Sequence, residues 1–459
     1  MKKILFSLAL MSFSGIAQAQ TPTWTTKTTG APALHFATNV KAVNASVIWF
    51  SDTAATAATD TGRYIGLSTD GGNTWVNKLI SGPSASATIG DMHPISATTA
   101  WIVSSGSGTQ NGIWKSTNAG TSWTKQTTAT FNTSNAFGAS FANQVYFWDE
   151  NNGFCAGDPF GTSTSNLRFE MYTTTNGGTN WTNVGTGIAP APLNGAEFGY
   201  TGKITVLGDN IWIGTDVGRL LYSPNRGASW QAFQTPAADF GGVTVDGFTA
   251  DVAFKDSNNG LMIEDQDGVG ILRATADKGA TWTEITPTGT FYANNIAYVP
   301  GTINTYVTSG FDAGSSYSTD GGLTWTEIAS DPTTPGKYYG SLAFVSPTVG
   351  FAGGVSQAQL AGLAVPSFSV LSGDLSLAVS DVTANKAKLT AFPNPAVDVV
   401  NLKSSKDIKE IAIIDLSGKV VKREKSNGQV NVSNLAKGTY VAQAIYTDGS
   451  VENTKIIKK

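Results

Sequence analysis

The chain has 459 residues, 41% hydrophobic and only 14% charged, with 51 glycines and 12 tryptophans. That length exceeds one ordinary core and suits a large domain followed by a small one. The net charge of −4 hides a division: residues 20–385 hold 14 Lys and Arg against 26 Asp and Glu, and residues 386–459 hold 13 against 7. An acidic body excludes nucleic acid as a partner, because phosphate binding needs the opposite sign. Abundant glycine and β-branched residues with regularly spaced aromatics indicate an all-β protein.

Residues 1–19 have the pattern of a secretory signal peptide. Lys2 and Lys3 form a basic start, Ile4 to Ile16 a short apolar stretch, and Ala17-Gln18-Ala19 a small-residue cleavage site. The apolar stretch is too short to span a bilayer, and no later segment is long enough to be a transmembrane helix. Cys155 is the only cysteine, so no internal disulfide can form, and its apolar surroundings predict a buried thiol. One cysteine and two distant histidines, His35 and His93, predict no metal site, and no cofactor motif stands out.

An octapeptide recurs six times along the body. It reads STDGGNTW at 68–75, STNAGTSW at 116–123, TTNGGTNW at 174–181, SPNRGASW at 223–230, TADKGATW at 275–282 and STDGGLTW at 318–325. Its tryptophans are 48, 58, 49, 52 and 43 residues apart, a period that suits a four-stranded propeller blade. The Asp or Asn (Asp70, Asn118, Asn176, Asn225, Asp277, Asp320) can bond the backbone of its own turn. The glycine supplies positive φ. The tryptophan (Trp75, Trp123, Trp181, Trp230, Trp282, Trp325) is expected to enter the layer between sheets.

These octapeptides closely resemble the Asp-box of the BNR, or sialidase-type, propellers. Over residues 24–355 the repeat grammar is similar to that of the photosystem II assembly-factor-like propellers, which implies protein binding rather than turnover. Unit openings near Asn39, Asp91, Gln144, Lys203, Asp251, Asn295 and Ser341 predict seven four-stranded blades, although the last unit lacks the octapeptide. Trp24-Thr25-Thr26-Lys27 matches the strand after each octapeptide and is expected to complete the last blade, leaving no open edge. Between the first two strands of a unit, Asp149–Gly153 and Asp256–Gly260 read as Asx-type hairpin turns rather than calcium loops.

The seven opening residues are all polar and share one register, which places a candidate ligand site at the channel mouth, with Tyr200, Phe291, Tyr292, Tyr338 and Tyr339 in nearby loops. No catalytic set emerges. Arg63, Arg168, Arg219 and Arg273 each precede an octapeptide by two to six residues, which fits pairing between blades better than a carboxylate-binding triad. A glycoside hydrolase would need two opposed carboxylates, for which Asp91, Asp246, Asp251, Glu264, Asp265 and Asp267 are the candidates.

After a linker at residues 381–388 the composition changes. Residues 389–459 alternate as short strands of a small Ig-like β-sandwich. The motifs FPNPA at 392–396, IIDLSGKVV at 413–421, NLAKGTYVAQAIYTDG at 434–449 and KIIKK at 455–459 resemble the type A C-terminal sorting domain of the type IX secretion system of Bacteroidetes. That resemblance implies export across the outer membrane and the secretion machinery as a partner. The sequence therefore predicts a propeller at residues 20–380, monomeric, secreted or surface-bound. It is expected to be a non-catalytic platform for a protein or glycan; a polysaccharide hydrolase and a structural adhesion component are the alternatives.

Overall fold

The computed structural model describes residues 21–54, 63–85, 87–106, 110–131, 140–185, 187–193, 195–310, 314–328, 337–356, 359, 365–376, 389–404, 406–415, 419–425, 428–447 and 451–459. The expected signal peptide and the 381–388 linker lie outside these residues. The chain divides into two units, residues 1–378 and 379–459.

In the first unit the octapeptide builds the repeat. In all six copies the first hydroxyl (Ser68, Ser116, Thr174, Ser223, Thr275, Ser318) donates to the Asx side chain and accepts from the glycine N–H four residues on. The same Asx oxygen accepts the N–H of the seventh residue at 2.8–3.0 Å. The fourth residue's N–H (Gly71, Ala119, Gly177, Arg226, Lys278, Gly321) then bonds a carbonyl of the first hairpin turn of its own blade, at 2.8–3.1 Å. Each loop is thus internally satisfied and tied to its blade.

These loops join the third and fourth strands of four-stranded antiparallel sheets, of which the described residues of the unit form seven. Blades 1 to 6 span residues 35–79, 88–125, 142–183, 199–234, 248–285 and 295–328. Blade 7 takes three strands from residues 337–372 and its fourth from the amino terminus. Thr23–Thr28 pairs antiparallel with Ser367–Ser372, from Thr23 opposite Ser372 to Thr28 opposite Ser367. The ring closes as the Trp24–Lys27 segment predicts.

The core lies between the blades. Among the described residues, seven buried clusters follow one another round the ring, and each takes side chains from two neighbouring blades. Trp75 packs between Phe50 of blade 1 and Phe368 of blade 7. Trp123, Trp181 and Trp325 are buried, whereas Trp75, Trp230 and Trp282 are half-buried. Cys155 is buried in the blade 2–3 cluster, and burial raises its thiol well above the ordinary range.

The octapeptide glycine is required on two counts. Gly72 has φ +84°, and a Cβ there would sit 2.1 Å from Phe368 Cζ, in the seam between the first and last blades. A rigid aromatic edge cannot yield as a flexible chain can. Gly72→Ala is expected to cost about 3 kcal/mol, combining backbone strain with overpacking. Chemical denaturation checks this, and an unchanged midpoint would contradict it.

The described residues of the second unit form seven strands in two sheets, Thr390–Phe392, Val399–Lys403 and Gln429–Asn431 against Ile408–Ile414, Val420–Glu424, Gly438–Tyr446 and Val451–Lys458. The core between them includes Leu389, Val400, Ile411, Ile413, Tyr440 and Ile456. The FPNPA segment is stitched to the last strand. Asn394 Nδ2 donates to Lys455 O, Asn394 Oδ1 accepts Ile457 N–H, and Ala396 N–H donates to Ile457 O.

Candidate functional site

The innermost strand of each blade has no further strand on its axial side, so half of its N–H and C=O groups face the channel. An exposed edge of this kind needs polar partners. The seven register residues sit on these strands, and five of them reach the inner strand of the next blade. Asp91 Oδ2 accepts Val145 N–H at 3.3 Å, and Asp251 Oδ2 accepts Ile296 N–H at 3.2 Å. Ser341 Oγ accepts Val40 N–H at 2.8 Å, closing blade 7 on blade 1. Gln144 Nε2 donates to Tyr200 O at 2.7 Å, and Lys203 Nζ to Ala250 O at 3.2 Å. Asn39 Nδ2 donates to Ser51 Oγ, and Asn295 Nδ2 to Asn294 Oδ1, both within one blade. The shared polarity has a structural cause: it clasps the ring.

Six of the seven, Asn39, Asp91, Lys203, Asp251, Asn295 and Ser341, line one axial cavity of about 450 Å³. Gln144 does not. The inner strand of blade 4 (Gly199–Leu207) breaks register between Gly199 and Ile204. This bulge reaches towards blade 2, where a Cβ on Gly90 would lie 2.5 Å from Thr201 Cγ2, and Gln144, fully buried, bonds its Tyr200 carbonyl. Smaller breaks occur at Ala37/Asn39, Ile89/Met92, Ala142/Gln144 and Tyr339/Ser341. Bulges re-aim side chains at sites of this kind. They also correct one expectation: only Asn295 opens its strand, while the other six stand inside theirs.

Sequence reasoning missed Lys41, Thr38, Thr201 and Thr205, which share the cavity wall. Lys41 lies two residues after Asn39 on the same strand face, and that alternation is the signal that could have found it. Its Nζ is 3.4 Å from Asp91 Oδ1. His93, also two residues past a register position, packs at 4.2 Å on Tyr146; burial and then Lys41 push its imidazole down to about 3.

Four of the six carboxylates considered for hydrolysis, Asp91, Asp251, Glu264 and Asp265, are engaged. Asp91 and Asp251 each also take the N–H of the following residue, at 2.9 and 3.0 Å. Glu264 is buried against Arg273, and Asp265 accepts Gly268 N–H beside Asp267 in the hairpin of blade 5. Asp246 is exposed in a connecting segment. The arginines make local structural contacts rather than converging on the channel. Arg63 donates to the carbonyls of Ile80, Pro83 and Ser84, Arg219 faces Glu197 at 3.4 Å, and Arg168 donates to Leu167 O. None lines the cavity. Their reach is short because each sits by the third strand, where the connecting segments pass.

Tyr200 donates to Asp239, Phe291 packs tilted against Trp325 and Tyr292 donates to Glu327, all off the cavity wall; the side chains of Tyr338 and Tyr339 lie outside the described residues. Asp149 and Asp256 form Asx turns, each accepting two backbone N–H groups at 2.8 Å. The octapeptide residues likewise lie off the cavity wall.

A half-buried carboxylate beside the blade 4 bulge has a raised pKa. Burial pushes Asp158 up to about 6, against the lowering influence of Asn143 Nδ2 at 2.6 Å and the Phe141 and Gly199 backbones. A raised folded pKa adds stability below the unfolded value and loses it as pH rises through about 6. With its half-buried position discounted, about 1–2 kcal/mol should be lost between pH 5 and 7.5. Asp158→Asn should flatten that slope in thermal melts; an unchanged slope would refute the assignment.

The geometry defines a β-propeller protein with a carboxy-terminal β-sandwich. Residues 390–459 match the model of the secretion system C-terminal sorting domain, which directs the chain to the cell surface or extracellular space through the type IX system. YCF48 bound to D1 peptide is similar in fold, with a TM-score of 0.53 and 14% identity over 77% of this chain and 100% of that one. YCF48 from Cyanidioschyzon merolae has a TM-score of 0.50 and 15% identity over 76% and 99%. No curated protein matches. No helix among the described residues is long and apolar enough to cross a membrane.

Proposed function

We propose that the propeller, residues 20–380, is a non-catalytic binding platform for an extracellular protein or glycan, delivered by the domain at residues 389–459. The observation that carries this reading is the state of the carboxylates. Asp91 and Asp251, the two on the cavity wall, each hold two backbone N–H groups and serve as structural acceptors. A hydrolase needs one carboxyl free to protonate a leaving group and another free to act on the sugar or on water. Engagement of this kind suits a rigid receptor. The six register residues and Lys41 form its contact wall.

Incubation with a broad panel of polysaccharides is expected to release no reducing ends, while array screening of the same protein detects a bound ligand. Turnover abolished by Asp251→Ala or Asp91→Ala would overturn this reading in favour of a hydrolase. Binding to nothing on protein and glycan arrays would favour a structural adhesion component.

A further inference from the structure

The axial cavity has a surplus of hydrogen-bond donors, and that surplus selects a ligand chemistry. Its wall holds two ammonium groups, Lys41 and Lys203, and two carboxylates, Asp91 and Asp251. An ammonium has three N–H donors. Lys203 directs one to Ala250 O, and Lys41 has a carboxylate oxygen at 3.4 Å. All four carboxylate oxygens also accept strand N–H groups. The carboxylate oxygens are largely used by the fold while ammonium donors remain, accompanied by the hydroxyl of Thr201.

Among the described residues that line the cavity none is aromatic, and charged and hydroxyl groups predominate at the wall. Its volume of about 450 Å³ falls in the range of small-ligand pockets. We propose that the axial cavity binds a small carboxylate-bearing ligand, with Lys41 and Lys203 holding the carboxylate. This rests on the platform reading and names its ligand class. The carboxylate could belong to a uronic acid or to the free end of a short peptide; the ammonium–carboxylate contact is the same in both.

The test is calorimetric titration of the full-length exported protein with glucuronate and with N-acetyl-dialanine, each beside its neutral amide. At least one carboxylate is expected to bind about tenfold or more tightly than its amide, with affinity falling as salt rises. The arm that binds identifies the source. Lys41→Met and Lys203→Met are each expected to weaken binding by about tenfold, the loss of one charge-assisted contact. Lys203→Arg should largely restore it. Thermal melts accompany each variant because Lys203 also clasps blade 5; if Lys203→Met unfolds, Lys41→Met decides.

Equal affinity for acid and amide, absence of binding by both acids, or indifference to the Lys41 substitution would overturn the proposal. A neutral glycan or a protein bound elsewhere would overturn it while leaving the platform reading intact. Glycan turnover would instead defeat the platform reading.

Discussion

Replacing Trp24 with alanine is expected to destabilise the propeller by about 3–5 kcal/mol, the cost of emptying a fully buried aromatic site. Trp24 is 2% exposed, and its Nε1 donates to Ser315 Oγ of blade 6 at 2.6 Å. Its ring joins Val299, Val307, Ala352 and Leu371 in the cluster between blades 6 and 7. One side chain from the amino-terminal strand therefore fastens that strand to blade 7 and blade 7 to blade 6. Removal of residues 21–28 goes further, because it also strips Ser367–Ser372 of its partner and leaves a sheet edge open. The first change should lower the denaturation midpoint strongly, and the second should yield aggregated protein on size exclusion. A monodisperse, stable truncation would show that the ring holds without its closing strand.

Deleting residues 389–459 is expected to abolish delivery beyond the outer membrane and leave the propeller in the periplasm. The family match covers 390–459 and ends at the last residue of the sequence. The terminal strand has a structural task as well as an address. Ile457 and Lys458 hold the FPNPA segment, and Ile456 lies in the core. A shorter deletion of 455–459 should therefore also fail, by unravelling the entry motif. Cell fractionation with immunoblotting checks both; unchanged surface delivery would refute the sorting role.

Much of the fold was legible because its instructions are local. The octapeptide holds its turn with its own hydroxyl and Asx side chain, so six copies announce six blades whatever surrounds them. The seventh blade lacks that device, yet Trp24–Lys27 betrayed its missing strand. The site was legible in part. Asn39, Asp91, Lys203, Asp251, Asn295 and Ser341 share a register that the chain displays at blade intervals. Gln144 shares it too but is walled off by the blade 4 bulge. The paired glycines Gly199 and Gly202 hint at that irregularity, but the direction in which a bulge projects depends on partners far away in sequence. The role of the polar register was hidden for the same reason: Asp91 meets Val145 only once two sheets stand side by side.

The closing strand also has a temporal consequence. Thr25 and Ser372 meet at 3.2 Å although 347 positions separate them. Synthesis from the amino end releases the fastening strand first and its partner more than three hundred residues later. A contact of such span forms slowly, because the intervening chain must be gathered before the pairing is rewarded. A chain that stops before residue 367 lacks the partner of its amino-terminal strand. Completion of the ring thus acts as a length check, satisfied only by a chain that already carries every blade.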